Sequence, residues 1–311
     1  MLAHTVRSGL PESLHRGAAV AVDGDGQVLY ELGNIDRPIF YRSAIKPLQA
    51  LVALRVGVKL TDEEIAITCA SHSGYPIHLA YVRKILSDVG LGEDALQTPF
   101  DWPLGVGARD LVIAAGHRRK QRIWHNCSGK HAGWIAACLT AGWDHTQYLS
   151  PDSPLQREIL EIVHDATALD PKPTGVDGCG APTLLGSVRG LARAFATLSS
   201  EPEYAATARA VHRFSGLVGS NDRADGRLSA WWDGPIKAGA QGLIGAGRRG
   251  VGIAVRSESG NEVVAVLGLI AVARELGLLS KVALEALAGV AAPPVFGGGE
   301  PVGTIEPVMQ L

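Results

Sequence analysis

The heptapeptide Tyr-Arg-Ser-Ala-Ile-Lys-Pro, residues 41–47, joins a polar turn to an apolar helix, and the rest of the sequence is organised around it. Ser43 and Lys46 stand three residues apart, a spacing that places two side chains on one face of a helix. A serine hydroxyl is a weak nucleophile until a neighbouring group takes its proton, and a lysine can do so only if its pKa is lowered. The stretch predicts either a serine nucleophile with a lysine base or an N-cap serine with a solvated lysine.

Strand and helix patterns on both sides of this stretch predict the fold class. Residues 18–32 read as a hairpin around a glycine turn, and residues 237–244 and 251–256 read as paired strands. Since the region between them is mainly helical, we predict an α+β fold with one antiparallel sheet built from N- and C-terminal strands. We expect a single catalytic unit over residues 1–311, with a sheet subdomain at about 17–60 and 232–311 and a helical subdomain at about 61–231.

Three segments carry more local predictions. Thr61, followed by Glu64, has the signature of a helix capping box. Residues 183–198, which follow a glycine-flanked turn, are predicted to form a helix. The glycine-rich residues 296–299 predict an extended surface segment rather than a phosphate loop, because no strand and helix flank them.

Composition and charge exclude several classes of protein. Of the 311 residues 46% are hydrophobic and 19% charged, which indicates a folded chain with a sizeable core. The net charge of −2 provides no global field for nucleic acid or for an anionic membrane. No apolar run reaches the roughly 18 residues of a membrane span. The N-terminus lacks a signal-peptide pattern, so the four cysteines predict a reducing, cytoplasmic setting.

Two further segments could complete a serine–lysine centre. After Ser43 and Lys46, the sequence Ser-His-Ser at residues 71–73 and Lys237-Ala-Gly follow in an order that parallels the Ser-x-x-Lys, Ser-x-Asn and Lys-Thr-Gly elements of β-lactamases and penicillin-binding proteins. Serine-dependent glutaminases share this plan. Taken alone, Ser73 fits a loop serine with a local turn bond, and Lys237 fits an edge-strand lysine that discourages aggregation.

Two cysteines in glycine-flanked turns form a second cluster of candidates. Cys127 lies between His125 and His131, and Cys179 lies in the turn Asp-Gly-Cys-Gly. Their thiolates could hold a zinc ion. The spacing matches no zinc finger or ribbon, so buried free thiols remain the alternative.

Five motifs together resemble the rhizobial-type (class 3) L-asparaginases of the asparaginase II family, over roughly residues 17–256. They are Tyr-Arg-Ser-Ala-Ile-Lys-Pro at 41–47, Ser-His-Ser-Gly at 71–74, His-Asn-Cys-Ser-Gly-Lys-His-Ala-Gly at 125–133, Asp-Gly-Cys-Gly at 177–180 and Lys-Ala-Gly-Ala-Gln-Gly at 237–242. The resemblance implies a β-lactamase-, penicillin-binding-protein- and glutaminase-like fold, a homodimer, and hydrolysis of L-asparagine to L-aspartate and ammonia.

The resemblance also implies roles for individual residues. Ser43 with Lys46 and Ser73 with Lys237 would form two linked catalytic pairs, with Ser43 as the preferred nucleophile. A zinc ion beside them would be held by three ligands, Cys127, Lys130 and Cys179. A lysine ligand must be neutral, which requires a strongly lowered pKa. Contact with the substrate is expected from three residues, Arg42, His72 and Asp177.

Two departures from the family pattern and two alternative functions complete these expectations. Gln241 stands where the pattern has glutamate, and Arg256 stands where it has lysine. The first departure could change how substrate is oriented, and the second bears on the placement of Lys237. The alternatives are a β-lactamase-like or other serine amidase of the same fold, and a non-catalytic zinc-binding module.

Overall fold

The chain divides into two compact units in the computed structural model, which describes residues 1–220 and 223–308. The sheet unit comprises Met1–Ala44, Gly186–Glu201 and the described part of Asn221–Leu311, and the helical unit comprises Ile45–Leu185 and Pro202–Ser220. These bounds differ from those expected from sequence, because residues 45–60 belong to the helical unit and a helix near residue 190 belongs to the sheet unit.

The strands are short and most of them lie in the sheet unit. In chain order they are β1 (Ala3–Arg7), β2 (Leu10–His15), β3 (Gly17–Val22), β4 (Val28–Leu32), β5 (Ile39–Phe40), β6 (Lys172–Val176), β7 (Pro182–Gly186), β8 (Ile236–Gly239), β9 (Leu243–Arg248), β10 (Val251–Ser257), β11 (Pro294–Gly297) and β12 (Glu300–Pro307).

The helices are α1 (Lys46–Arg55), α2 (Asp62–Thr68), α3 (Pro76–Asp88), α4 (Val106–Ala114), α5 (Ser128–Ala141), α6 (Pro154–Thr167), α7 (Val188–Ser200), α8 (Ala205–Arg213), α9 (Ser215–Val218), α10 (Ala224–Ser229), α11 (Glu262–Glu275), α12 (Lys281–Ala286) and α13 (Ala288–Ala291). Among the described residues, none of these helices has both the length and the apolar composition needed to cross a lipid bilayer.

Two antiparallel sheets form the sheet unit. The larger has the strand order β4-β3-β10-β9-β8, so N-terminal strands pair directly with C-terminal ones, as Val22 does with Gly252. The smaller has the order β11-β12-β1-β2. The predicted α+β fold with a sheet of N- and C-terminal strands is therefore confirmed, as is the hairpin of β3 and β4.

Helices cover both faces of the larger sheet. Ile244 and Ala246 belong to the apolar cluster that includes α11, whereas a side chain at Gly245 or Gly247 would collide with Phe195 of α7. Since alternate strand residues face opposite sides of a sheet, α7 and α11 lie on opposite faces. Glycine at these positions lets the backbone of α7 come close to the sheet.

One local prediction differs from the structure and another agrees with it. Residues 183–198 do not form one helix, because Pro182–Gly186 is strand β7, paired with β6. The Ser187 side chain then accepts a hydrogen bond from Gly190 N at 3.0 Å and begins helix α7. Residues 296–299 lie at the surface in the hairpin of β11 and β12, which agrees with the extended surface segment expected from sequence.

In the helical unit, helix α2 packs closely against α5, the helix that carries Lys130. The capping box at Thr61 is confirmed, with Thr61 N donating to Glu64 Oε2 at 2.8 Å and Glu64 N donating to Thr61 Oγ1 at 3.3 Å. Helix α5, which α2 contacts, is buried from residue 128 to 138. A Cβ atom on Gly129 would lie 2.2 Å from Ile67 O, so this glycine allows the two helices to touch.

Candidate active site

The candidate residues from the sequence are distributed over both units. The sheet unit contains Arg42, Ser43 and Lys237, and the helical unit contains Lys46, His72, Ser73, Cys127, Lys130, Asp177 and Cys179. Each expected serine–lysine pair therefore has its members in different units, and both pairings stay predictions. Within each unit, the structure brings several of these residues together.

Lys46 is a buried lysine at the first position of α1. Ser43 does not cap this helix, because a 3₁₀ helix spans Arg42–Ile45 and Ile45 occupies the cap position. Pro47 then falls in the first turn, where proline is tolerated. The Lys46 side chain is 1% exposed, so the alternative of a cap serine with a solvated lysine is wrong.

The surroundings of Lys46 disfavour its charged form. Its Nζ donates hydrogen bonds to Ser71 Oγ at 3.0 Å and to the carbonyl of Ala70. Burial lowers the pKa of Lys46, attraction to Cys127 opposes this shift, and repulsion from Lys130 adds to it. A buried amine of this kind is suited to accept a proton.

Ser71, which the sequence analysis left out of the candidate set, is the serine that hydrogen-bonds Lys46 within the helical unit. Its backbone is fixed by a hydrogen bond from Ser71 N to Val218 O at 2.9 Å. Ser73 is also buried, and its carbonyl accepts from Gly105 N at 2.9 Å. The one sequence signal for Ser71 was its place in the same Ser-His-Ser motif as Ser73.

His72 is a buried, neutral histidine whose tautomer follows from its contacts. Ser128 Oγ donates to Ile123 O at 2.8 Å, so the same oxygen accepts from His72 Nε2 at 2.9 Å. Burial holds the pKa of His72 well below its usual value. His72 Nδ1 is thus a buried acceptor that has no hydrogen-bond partner among the described residues. Contact between His72 and substrate stays a prediction.

Cys127, Lys130 and Cys179 meet in what we call the thiol cluster. Lys130 Nζ lies 3.4 Å from Cys179 Sγ and 4.2 Å from the centre of the Trp134 ring. Hydrogen bonding with Cys127 and the charge of Lys130 hold the pKa of Cys179 far below its usual range, although burial acts against them. The same hydrogen bond and burial raise the pKa of Cys127. These shifts favour the thiolate form at Cys179 and the thiol form at Cys127.

Lys130 is the cation that neutralises this thiolate. Burial alone would lower the pKa of Lys130, but Cys179, Cys127 and Asp177 outweigh it and the pKa is raised. Asp177 is held in a turn by its own backbone N–H, which donates to Ala181 O at 2.8 Å. The neutral lysine that the resemblance requires is therefore not favoured by the protein groups alone, and contact between Asp177 and substrate stays a prediction.

The thiol cluster fits zinc as a donor set. Two sulfurs and an amine, all buried and adjacent, are donors that zinc accepts, and the lowered pKa of Cys179 favours the thiolate form that zinc binds. Coordination would displace the protons of Cys127 and Lys130, as metal binding to protonated ligands does. No group of three His, Cys, Asp or Glu side chains in residues 1–220 and 223–308 is arranged to hold a metal, so the site depends on the lysine.

In the sheet unit, strand β8 lies against the segment that carries Ser43. A Cβ atom on Gly239 would lie 2.8 Å from Ala44 N and 3.2 Å from Tyr41 O, so glycine is needed for this approach. Lys237 is 2% exposed and its Nζ donates to Ala238 O at 2.6 Å. Strand β8 is an edge strand of the larger sheet, but the burial of Lys237 contradicts the alternative of a lysine that faces solvent there to discourage aggregation.

A cavity of about 400 Å³ opens in the same unit next to this segment. Its polar lining residues are Asn34, Arg37, Arg42, Gln241, Arg256 and Glu258, and we call it the arginine cavity. Both departures from the family pattern, Gln241 and Arg256, line it. Arg42 was a candidate from the sequence, but no motif indicated the cavity.

Comparison with known proteins gives one family match. The sequence model of the family described as L-asparaginase II matches residues 3–307. No curated protein is significantly similar to the chain in sequence.

Several solved structures are similar in three dimensions. Mglu in its native form has 18% identity and a TM-score of 0.48, with 91% of this chain and 69% of that chain covered. Mglu in its glutamate form has 15% identity and a TM-score of 0.47, with 85% and 61% covered, so the chain spans less than two thirds of that protein. A β-lactamase from Mycobacterium bovis has 15% identity and a TM-score of 0.34, with 83% and 94% covered.

Proposed function

The chain belongs to the asparaginase II family, and from this premise we propose that it is an amidohydrolase that converts L-asparagine to L-aspartate and ammonia through a serine ester. The observation that supports the mechanism is the burial of Lys46, which lowers the pKa of its amine and so favours the neutral form that can accept a proton. The pairing of this amine with Ser43 rests on their spacing in the sequence and on the family.

In the proposed acylation step, Ser43 Oγ forms a bond to the side-chain amide carbon of asparagine while Lys46 takes the hydroxyl proton. The bond from that carbon to nitrogen then breaks, and the proton passes to the leaving ammonia. Backbone N–H groups at the start of the Ser43 helical turn would stabilise the oxyanion. Water then forms a bond to the carbonyl carbon of the β-aspartyl ester while Lys46 takes its proton. The bond from that carbon to Ser43 Oγ breaks, the proton passes to Ser43, and aspartate leaves.

The other candidate residues would assist Ser43 and Lys46. We assign Ser73 and Lys237 to proton relay, and Ser71 to fixing the orientation of the Lys46 amine through its 3.0 Å hydrogen bond. Cys127, Lys130 and Cys179 would hold a zinc ion. When bound, the metal supplies a fixed positive charge that can position substrate or neighbouring amines. A homodimer in the cytoplasm belongs to the same proposal, and light scattering after size-exclusion chromatography tests the dimer.

The test measures ammonia release from asparagine and glutamine side by side, with and without added zinc. Ser43→Ala and Lys46→Ala should each lower kcat by about 10⁴-fold or more, the scale seen when a nucleophile or its base is removed. Ser87→Ala, at an exposed serine of α3, is the matched control and should keep full activity.

Other outcomes reassign the function. Near-normal ammonia release by Ser43→Ala would remove Ser43 as the nucleophile and promote Ser73. Hydrolysis of a chromogenic penicillin without ammonia release from asparagine would favour the β-lactamase-like alternative. Bound zinc in a protein without amidase activity would favour the non-catalytic module.

A further inference from the structure

The arginine cavity combines cationic groups with a smaller number of acceptors. Arg37, Arg42 and Arg256 supply three guanidinium groups, and Glu258 supplies the one carboxylate that lines it. Arg37 Nη1 lies 2.7 Å from Glu258 Oε1, so this carboxylate already has a cationic partner. Arg256 Nη1 donates to Ser257 O at 2.8 Å.

The electrostatics of Arg256 indicate a site that favours an anion. Burial lowers the pKa of Arg256, and repulsion from Arg37 and Arg42 lowers it further, with Glu258 acting in the opposite direction. Cations gathered in a partly buried site repel one another, and a bound anion relieves that repulsion. Guanidinium groups match a carboxylate in geometry because two N–H donors can reach its two oxygens.

The backbone at the cavity is held in costly conformations. Arg42 has φ of 49° and Gln241 has φ of 40°, both in the left-handed region that residues with a Cβ atom disfavour. Such conformations persist where the surrounding structure enforces them, and they concentrate at functional sites. Here they occur on two separate segments that line one cavity.

The cavity adjoins the serine that we propose as nucleophile. Arg42 is the residue before Ser43, and Ala240 and Gln241 follow the β8 segment that packs against Ala44. Consecutive Cα atoms are about 3.8 Å apart, so the wall of the cavity and Ser43 are separated by a single peptide unit. One small molecule could occupy the cavity and present another of its groups to this serine.

We propose that the arginine cavity binds the α-carboxylate and α-ammonium groups of a free amino acid, with Arg256 and Arg42 on the carboxylate and Glu258, Asn34 and Gln241 on the ammonium. This proposal rests on the proposed function, since the amino acid would be asparagine as substrate and aspartate as product. Amide oxygens and a carboxylate are acceptors suited to an ammonium group. The volume of about 400 Å³ suits a small ligand.

Binding is tested by calorimetry with L-aspartate and, separately, inorganic phosphate, using Ser43→Ala protein so that no turnover occurs. Arg256→Gln should weaken aspartate binding at least tenfold, and Arg256→Lys, which keeps the charge, should weaken it less. Arg189→Gln is the matched control, because Arg189 pairs with Asp36 on the exposed surface of the same unit. Thermal unfolding of each variant shows whether it is folded.

Glu258→Gln distinguishes an amino acid from a simple anion and does not depend on the Arg256 variants being folded. It should weaken aspartate binding at least tenfold while phosphate binding is unchanged or tighter, because only aspartate carries an ammonium group. Equal effects on the two ligands would overturn the proposal in favour of a general anion site. Unchanged aspartate binding in both Arg256→Gln and Glu258→Gln would overturn it altogether.

A kinetic comparison separates this proposal from the proposed function. L-Asparagine α-amide lacks the carboxylate, so its kcat/KM should fall at least a hundredfold below that of asparagine in the wild-type protein. Arg256→Gln should lower kcat/KM for asparagine through KM and leave the value for the amide unchanged. Absence of turnover in the wild-type protein with intact aspartate binding would reject the function alone. Full turnover by Arg256→Gln would reject the site alone.

Discussion

Substitution of Gly129 by alanine should destabilise the helical unit and disturb the thiol cluster. The added methyl group would lie 2.2 Å from Ile67 O, so the two helices must separate by about 1 Å to reach ordinary contact. The obstacle is a backbone carbonyl that accepts from Ala70 N, not a flexible side chain. Overpacking of this kind costs about 3 kcal/mol, and the better helix propensity of alanine returns about 1 kcal/mol. We expect a net loss of about 2 kcal/mol.

The assay is urea unfolding followed by far-UV circular dichroism, which reports stability through the transition midpoint. Gly289→Ala is the matched control, because Gly289 also lies in a helix but a Cβ atom there would meet nothing within 4 Å. It should be neutral or stabilising by about 0.4–1 kcal/mol. Activity should fall as well, since a displacement of about 1 Å can cost about 10²-fold in rate.

Gly129→Ala protein that is as stable as Gly289→Ala protein and fully active would contradict the predicted clash. That result would mean that α5 and α2 are not in backbone contact at this glycine. A loss of stability with full activity would refute only the link from helix packing to the placement of Cys127 and Lys130.

Three further predictions concern the buried charges. Since burial lowers the pKa of Lys46, kcat/KM should rise with pH as this amine loses its proton, and the midpoint of the rise should lie below 10.5, the ordinary pKa of a lysine. A rise centred at pH 10.5 in a pH–rate profile would contradict a buried base. In protein freed of zinc, Lys130→Met should lower the free energy of unfolding by about 3–5 kcal/mol, measured by urea unfolding, because it leaves the Cys179 thiolate unpaired. The control Lys120→Met, at an exposed ion pair, should lower it by less than about 1 kcal/mol. Equal losses in the two variants would contradict an ion pair between Lys130 and Cys179. After chelation, the protein should bind one added zinc ion per chain and release about two protons, measured by calorimetric titration in buffers of different ionisation enthalpy. Cys179→Ser should abolish this binding, and the control Cys138→Ser should retain it.

Local features of the fold could be predicted from sequence because neighbouring residues determine them. The hairpin of β3 and β4 and the capping box at Thr61 depend on a few adjacent side chains. The boundary at Ser187 could not be predicted in this way, since β7 is held as a strand by pairing with β6. Apolar spacing in residues 183–198 suits a helix until that partner is known.

In the candidate site, too, residues within sequence motifs could be predicted, whereas contacts between distant segments could not. Cys127, Lys130 and Cys179 were identified from motifs, and the structure brings them together. Ser71 was missed because its hydrogen bond to Lys46 joins residues 25 apart in the sequence. The arginine cavity was missed because its lining comes from separate segments near residues 34–42, 188, 240 and 256–258, none of which forms a motif by itself.

The pairing of β3 with β10 has a consequence for how the protein matures during synthesis. Val22 and Gly252 are partners about 230 residues apart, so the larger sheet cannot close until the ribosome has made β10. At about 5–20 residues per second, β3 waits roughly ten to fifty seconds for that partner. Residues 45–185 leave the ribosome first and can fold meanwhile. Because the Ser43 segment is packed against the late strand β8, the proposed nucleophile cannot reach its packed position until residues 236–239 have been made.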